Sequence, residues 1–109
     1  MPDPVFTGNE NHDITLSDAA AMTRNYRTNH PGKTLGGFFG RAAIERILAQ
    51  PGVVGIRYYF AYETGSNVLR LVLTGALANR NDLHTGRLAE ISIVCPDICG
   101  INNPLNSDQ

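Results

Sequence analysis

Gly52-Val53-Val54-Gly55-Ile56-Arg57-Tyr58-Tyr59-Phe60-Ala61-Tyr62, a turn through Thr64-Gly65-Ser66-Asn67, and the return Val68-Leu69-Arg70-Leu71-Val72-Leu73-Thr74 together read as a β-hairpin. Side chains alternate between the two sides of a strand. Val54, Ile56, Tyr58, Phe60 and Tyr62 therefore share one face of the first strand, and Leu69, Leu71 and Leu73 share one face of the second. Pairing Glu63 with Val68 across a four-residue loop sets Phe60 opposite Leu71 and Tyr58 opposite Leu73. That register makes one face wholly apolar. The other carries Arg57, Tyr59, Arg70, Val72 and Thr74. A slip of one residue would set leucines against arginines, so burial should hold the register. An isolated hairpin is marginal in water, so the apolar face needs a cover.

The 109 residues fit one small domain. Charged residues make up 17% of the chain, below the roughly 25% of ordinary soluble proteins, while hydrophobic residues reach 42%. A small domain has much surface and this one has few charges to cover it, which favours burial against a partner, most simply another copy. The net charge of −1 conceals segregation. Residues 1–18 and 90–109 contain acids and no Lys or Arg, whereas every Lys and Arg lies between Arg24 and Arg87. Eight of those nine bases are arginines, which suit bidentate and interfacial pairing better than lysine. The acidic ends are expected to fold back on the Arg-rich body, in the same chain or in a neighbouring one.

Residues 1–13 read as an extended or disordered acidic arm, 14–94 as a single α+β domain, and 95–109 as a polar tail with two cysteines. Thr15-Leu16-Ser17-Asp18 starts a helix, with Thr15 as cap and Asp18 at the capping-box position. His30-Pro31-Gly32 ends it. Residues 32–37 form a connector, and Arg41–Gln50 a second helix with Ala43, Ile44, Ile47 and Leu48 as its apolar stripe. These two N-terminal helices are the expected cover for the small antiparallel sheet. Gly75–Gly86 reads as a loop with a turn at Asn79–Asp82, and Leu88–Val94 as a third strand. No stretch approaches the roughly 20 apolar residues of a membrane helix, and Met1-Pro2-Asp3-Pro4 lacks the basic and apolar regions of a secretory signal. The expected location is the cytoplasm.

Several segments carry a resemblance. They are Thr15-Leu16 with Met22-Thr23 and Asn25-Tyr26-Arg27, Phe38-Phe39-Gly40, Ile47-Leu48-Ala49-Gln50-Pro51-Gly52, Val54-Gly55-Ile56-Arg57, Asn81-Asp82, Leu88-Ala89-Glu90, and Cys95-Pro96 with Cys99. Over about three-quarters of its length the chain resembles an uncharacterised family of small bacterial proteins of no known activity. The resemblance implies an architecture and no catalytic residue. Its members carry Asp and Gly where this chain has Leu77 and Arg80, so a cation-binding turn is not expected here.

Candidate chemistry is sparse. Cys95 and Cys99, with His84 and either His30 or His12 completing four ligands, are the residues that would hold a zinc ion. The same pair would equally close a local disulfide or remain two thiols. The spacing is neither that of a zinc knuckle nor that of a redox Cys-x-x-Cys motif. Gly32-Lys33-Thr34 ends like a phosphate-binding loop, but Arg27 stands where that loop needs its first glycine. Arg57, Tyr59 and Arg70 on one sheet face resemble a stacking platform for single strands. The acidic ends compete for that face, so nucleic acid is not expected as a partner. The reading is a non-enzymatic self-associating structural or interaction module, a homo-oligomer without cofactor, whose interface carries Arg57, Tyr59, Arg70 and Val72. The alternative is a small metal- or thiol-dependent enzyme using Cys95 and Cys99.

Overall fold

The computed structural model describes residues 5–90 and 93–108. It is an α+β fold: α1 (Leu16–Asn29), β1 (Gly36–Phe38), α2 (Arg41–Leu48), β2 (Val53–Tyr62), β3 (Leu69–Leu77), β4 (Leu88–Ala89) and β5 (Ile93–Cys95). The residues group into two compact units, one of 5–10 with 38–90 and one of 11–37 with 93–108. This grouping cuts across the arm, domain and tail read from the sequence. No described helix is long and apolar enough to cross a membrane.

The first unit is built on the hairpin. β2 and β3 pair antiparallel with Tyr58 opposite Leu73, Tyr59 opposite Val72 and Phe60 opposite Leu71, the register that alternation demanded. Glu63 N–H donates to the Val68 carbonyl at 3.0 Å and closes the turn. Gly65 there takes φ +81°, a left-handed conformation that costs glycine nothing. β3 runs on to Leu77, past the expected end at Thr74, because the backbone continues to find partners. Gly75 pairs with Ile56, and Ala76 with both Gly55 and Asp82. The third strand is shorter than expected: β4 pairs Ala89 with Leu73 and Leu88 with Thr74, giving the order β2-β3-β4. Ile91, expected in that strand, lies outside the described residues.

α2 lies on β2 and β3. Its Ile47 is 1% exposed, whereas Leu48, expected in the same stripe, is 44% exposed. Gln50 fastens the helix end to the sheet: its Nε2 donates to the Ile47 carbonyl and its Oε1 accepts from Arg87 N–H. A Cβ on Gly75 would stand 2.8 Å from Val53 Cγ2 and 3.4 Å from Gln50 Nε2, so the helix end sits on the face that carries Leu69, Leu71, Leu73 and Gly75. Glycine at 75 leaves room for the Val53 side chain on the neighbouring strand. The core of this unit is Ile47, Leu73, Thr74, Gly75 and Ala76.

In the second unit Thr15 caps α1 as read, its Oγ1 accepting from Asp18 N–H at 3.1 Å. His30 N–H closes the other end onto the Tyr26 carbonyl, and Tyr26 Oη donates to the Thr34 carbonyl. The connector after it is a strand in part: β1 pairs with β5 in a separate two-stranded sheet. Leu35 N–H donates to the Cys95 carbonyl at 2.7 Å. α1 buries no residue, and no described residue of this unit is buried.

Candidate interaction surfaces

Arg57 and Tyr59 project from one face of β2, opposite Thr74 and Val72 of β3. Thr74 and Ala76 are small and each 3% exposed. Over them Arg57 Nη1 reaches Asp82 Oδ1 at 2.6 Å and the Arg80 carbonyl at 2.8 Å. Tyr59 Oη donates to the other carboxylate oxygen, Oδ2. The Phe6 ring lies 5.4 Å from the Arg57 guanidinium carbon, a cation–π contact, and Phe6 N–H donates to the Ala78 carbonyl. Thus Phe6 of the expected extended or disordered arm is docked, and Glu10 folds back on the Thr7 and Gly8 N–H groups. Those bonds, led by Thr7 N–H, hold the Glu10 carboxyl down at about 2.

The triad has a coherent electrostatic logic. The Tyr59 hydroxyl and the Arg57 guanidinium stabilise the Asp82 carboxylate and lower its pKa. The same carboxylate raises the pKa of Arg57 and of Tyr59, because each bond to it requires the proton. Further out on this face Arg70 Nη2 meets Glu63 Oε2 at 2.6 Å, with Glu90 Oε1 3.7 Å from its Nε. Val72 lies between, partly covered. The expected interface residues Arg57, Tyr59, Arg70 and Val72 are therefore on one side as read, but the charges among them already have partners within the chain. Asp82 was legible in advance as the end of the Asn79–Asp82 turn and as the one acid between Glu63 and Glu90.

The opposite, apolar face has a different fate. The two helices were its expected cover, and α2 supplies cover at the base of the hairpin, over Gly75. Towards the turn Tyr58, Phe60 and Tyr62 are 58%, 74% and 71% exposed. Tyr58 and Phe60 meet edge to face, ring centroids 5.8 Å apart.

In the second unit Cys95 and Cys99 form a disulfide, Cα atoms 4.9 Å apart. Of the readings open for this pair, the structure carries that one. His84 belongs to the other unit, and no group of three His, Cys, Asp or Glu side chains among the described residues is placed to hold a metal. The polar tail is built rather than loose. Asn103 Oδ1 accepts from Leu105 N–H, Asn106 Oδ1 accepts from Asn103 N–H, and both side-chain amides donate to the Ile101 carbonyl. This knot presents Asp108 to α1, where Arg27 Nη2 meets Oδ1 at 2.6 Å and Arg24 Nε lies 3.5 Å away. Arg27 above all lowers the Asp108 pKa. The acidic end folds on an arginine of its own chain.

No protein-family model, no curated protein and no solved structure matches this chain.

Proposed function

We propose that the protein is a non-enzymatic, self-associating structural or interaction module. The observation that carries this reading is the balance of burial. Among the described residues Ile47, Leu73, Thr74, Gly75 and Ala76 are buried, all in one unit. In the other, Ile14, Leu16, Met22, Ile93, Ile98 and Ile101 are each at least 50% exposed. Isolated apolar residues at a surface are ordinary, but so many of them beside so small a core support a chain that works against a partner. A composition poor in charge points the same way. Light scattering over a wide concentration range is the test: mass should rise with concentration, and a strictly monomeric species at millimolar protein would end the proposal.

The thiol- or metal-dependent enzyme draws less support, since each sulfur is engaged with the other. The same disulfide bears on location. Such bonds persist in oxidising compartments and are rare in the cytosol, so it favours an oxidising compartment over the cytoplasm expected from the sequence. Alkylating the thiols before lysis and counting labelled cysteines separates the two: none labelled for the former, two for the latter. Kinship with the small bacterial family stands beside this as a proposal about ancestry that adds no activity.

A further inference from the structure

We infer that the surface used for self-association is the bare outer half of the hairpin's aromatic face, and that its occupant is the same half-face of a second copy. This rests on the self-association reading and names its partner and pose. Three observations lead to it. First, the face is uncharged: Tyr58, Phe60 and Tyr62 share it with Leu69 and Leu71, while Arg57 and Arg70 project from the other side, paired with Asp82, Glu63 and Glu90. Two such faces meet without repulsion and without an unpaired ion to desolvate. An acidic or basic partner would find no counter-charge there. A like surface is complementary to itself, and a two-fold axis presents the same patch from both copies.

Second, the space fits. α2 covers the base of this face and stops short of the turn, leaving Tyr58–Tyr62 free, a length of about 16 Å. A helix is about 10 Å across and stacked sheets lie about 10 Å apart. A second hairpin laid on the outer half therefore stands level with α2, filling the step beside it. Third, the area is that of a weak, reversible contact. Aromatic side chains bring roughly 150–250 Å² each. With Tyr58, Phe60 and Tyr62 at 58%, 74% and 71% exposed, they offer about 400 Å² per copy, half of the roughly 800 Å² per partner in a standard interface. The flanking leucines and the turn extend it. The tyrosine hydroxyls reach the rim, where water satisfies them.

Sedimentation velocity on the full chain tests this with two matched variants. Phe60→Asp places a charge in the patch. Leu88→Asp places one at a comparably exposed apolar position (54%) on the opposite face, since Leu88 pairs with Thr74. Circular dichroism confirms that both remain folded. The expected result is a concentration-dependent dimer that Phe60→Asp weakens at least tenfold and Leu88→Asp leaves within twofold. In a mixture of isotope-labelled and unlabelled protein, Phe60 ring protons should show intermolecular contacts to leucine methyls. Self-association that survives Phe60→Asp overturns this interface while leaving the module reading intact. A wild-type protein that stays monomeric overturns both.

Discussion

Arg57 Nη1 and Asp82 Oδ1 meet at 2.6 Å across 25 positions of sequence, an ion pair that helps tie the 77–82 turn to the face of the sheet. The partners are largely covered, with side-chain exposures of 29% and 21%, and Tyr59 shares the same carboxylate. Asp82→Asn keeps the shape and removes the charge. We expect it to lower unfolding free energy by roughly 1.5–3 kcal/mol, the range for a hydrogen bond to a charged group. Urea denaturation measures it; an unchanged midpoint would mean the pair is decorative.

That triad also sets a pH window. Asp82 titrates below its ordinary 3.8 in the fold, so the stability it brings is complete above the unfolded carboxylate value and fades as pH falls through the depressed one. Tyr59 titrates above its ordinary 10.0. Its contribution is complete below that value and fades as pH rises through the raised one. Stability should form a plateau with an acid and an alkaline shoulder, both flattened in Asp82→Asn. Urea midpoints from pH 2 to 11 give the two profiles, and superimposable shoulders would contradict the assignment.

Gly75→Ala should destabilise although alanine is the better residue in most settings. The new methyl would stand 2.8 Å from Val53 Cγ2, and overpacking of this kind costs about 1–3 kcal/mol. Adding Val53→Ala to the same chain should recover part of the loss. A thermal melt that rises in Gly75→Ala alone would show that Val53 does not press on Gly75 across the hairpin.

Arg80 has φ +75°, the one described non-glycine residue in the left-handed region. L-residues lose about 1–2 kcal/mol there, and the turn bonds Arg80 N–H to the Leu77 carbonyl hold it in place. Replacement by Ala retains the strain and replacement by Gly removes it. Arg80→Gly should therefore be more stable than Arg80→Ala by about 1 kcal/mol, since glycine loses some of the gain through its unfolded-state freedom. Equal melting temperatures would be the contrary result.

Cys95 and Cys99 close a loop with a separation of 4 residues, for which chain-entropy arguments give about 2 kcal/mol. Reduction, or Cys99→Ser, should accelerate hydrogen exchange around Leu35 and Ile98, whose N–H groups bond the flanking strand. Exchange at Leu73 and Ala76, in the other unit, should change little. Uniform acceleration across both would mean that the two units unfold as one.

The hairpin was readable because alternation leaves a single register that segregates leucine from arginine, and Glu63 meeting Val68 is its direct outcome. The start of α1 was readable from Thr15 and Asp18 for a similarly local reason. What escaped was non-local. Gly36-Gly37 has no strand propensity, and only its pairing with β5 makes it one. The periodicity of α1 and α2 identified apolar sides without saying how far along the hairpin a helix would reach, so the bare aromatics at Tyr58, Phe60 and Tyr62 were not foreseen. Nor does the spacing of Cys95 and Cys99 distinguish a bond from two thiols.

The backbone enters and leaves each unit repeatedly, crossing near residues 10, 37 and 92. Neither unit is thus one uninterrupted piece of sequence, and no single truncation isolates either. Stepwise terminal deletion would strip Phe6 from beneath Arg57 at one end and Asp108 from Arg27 at the other, damaging both units before any boundary came into view. Dissecting this molecule calls for splicing, with 5–10 rejoined to 38–90 through a short artificial linker.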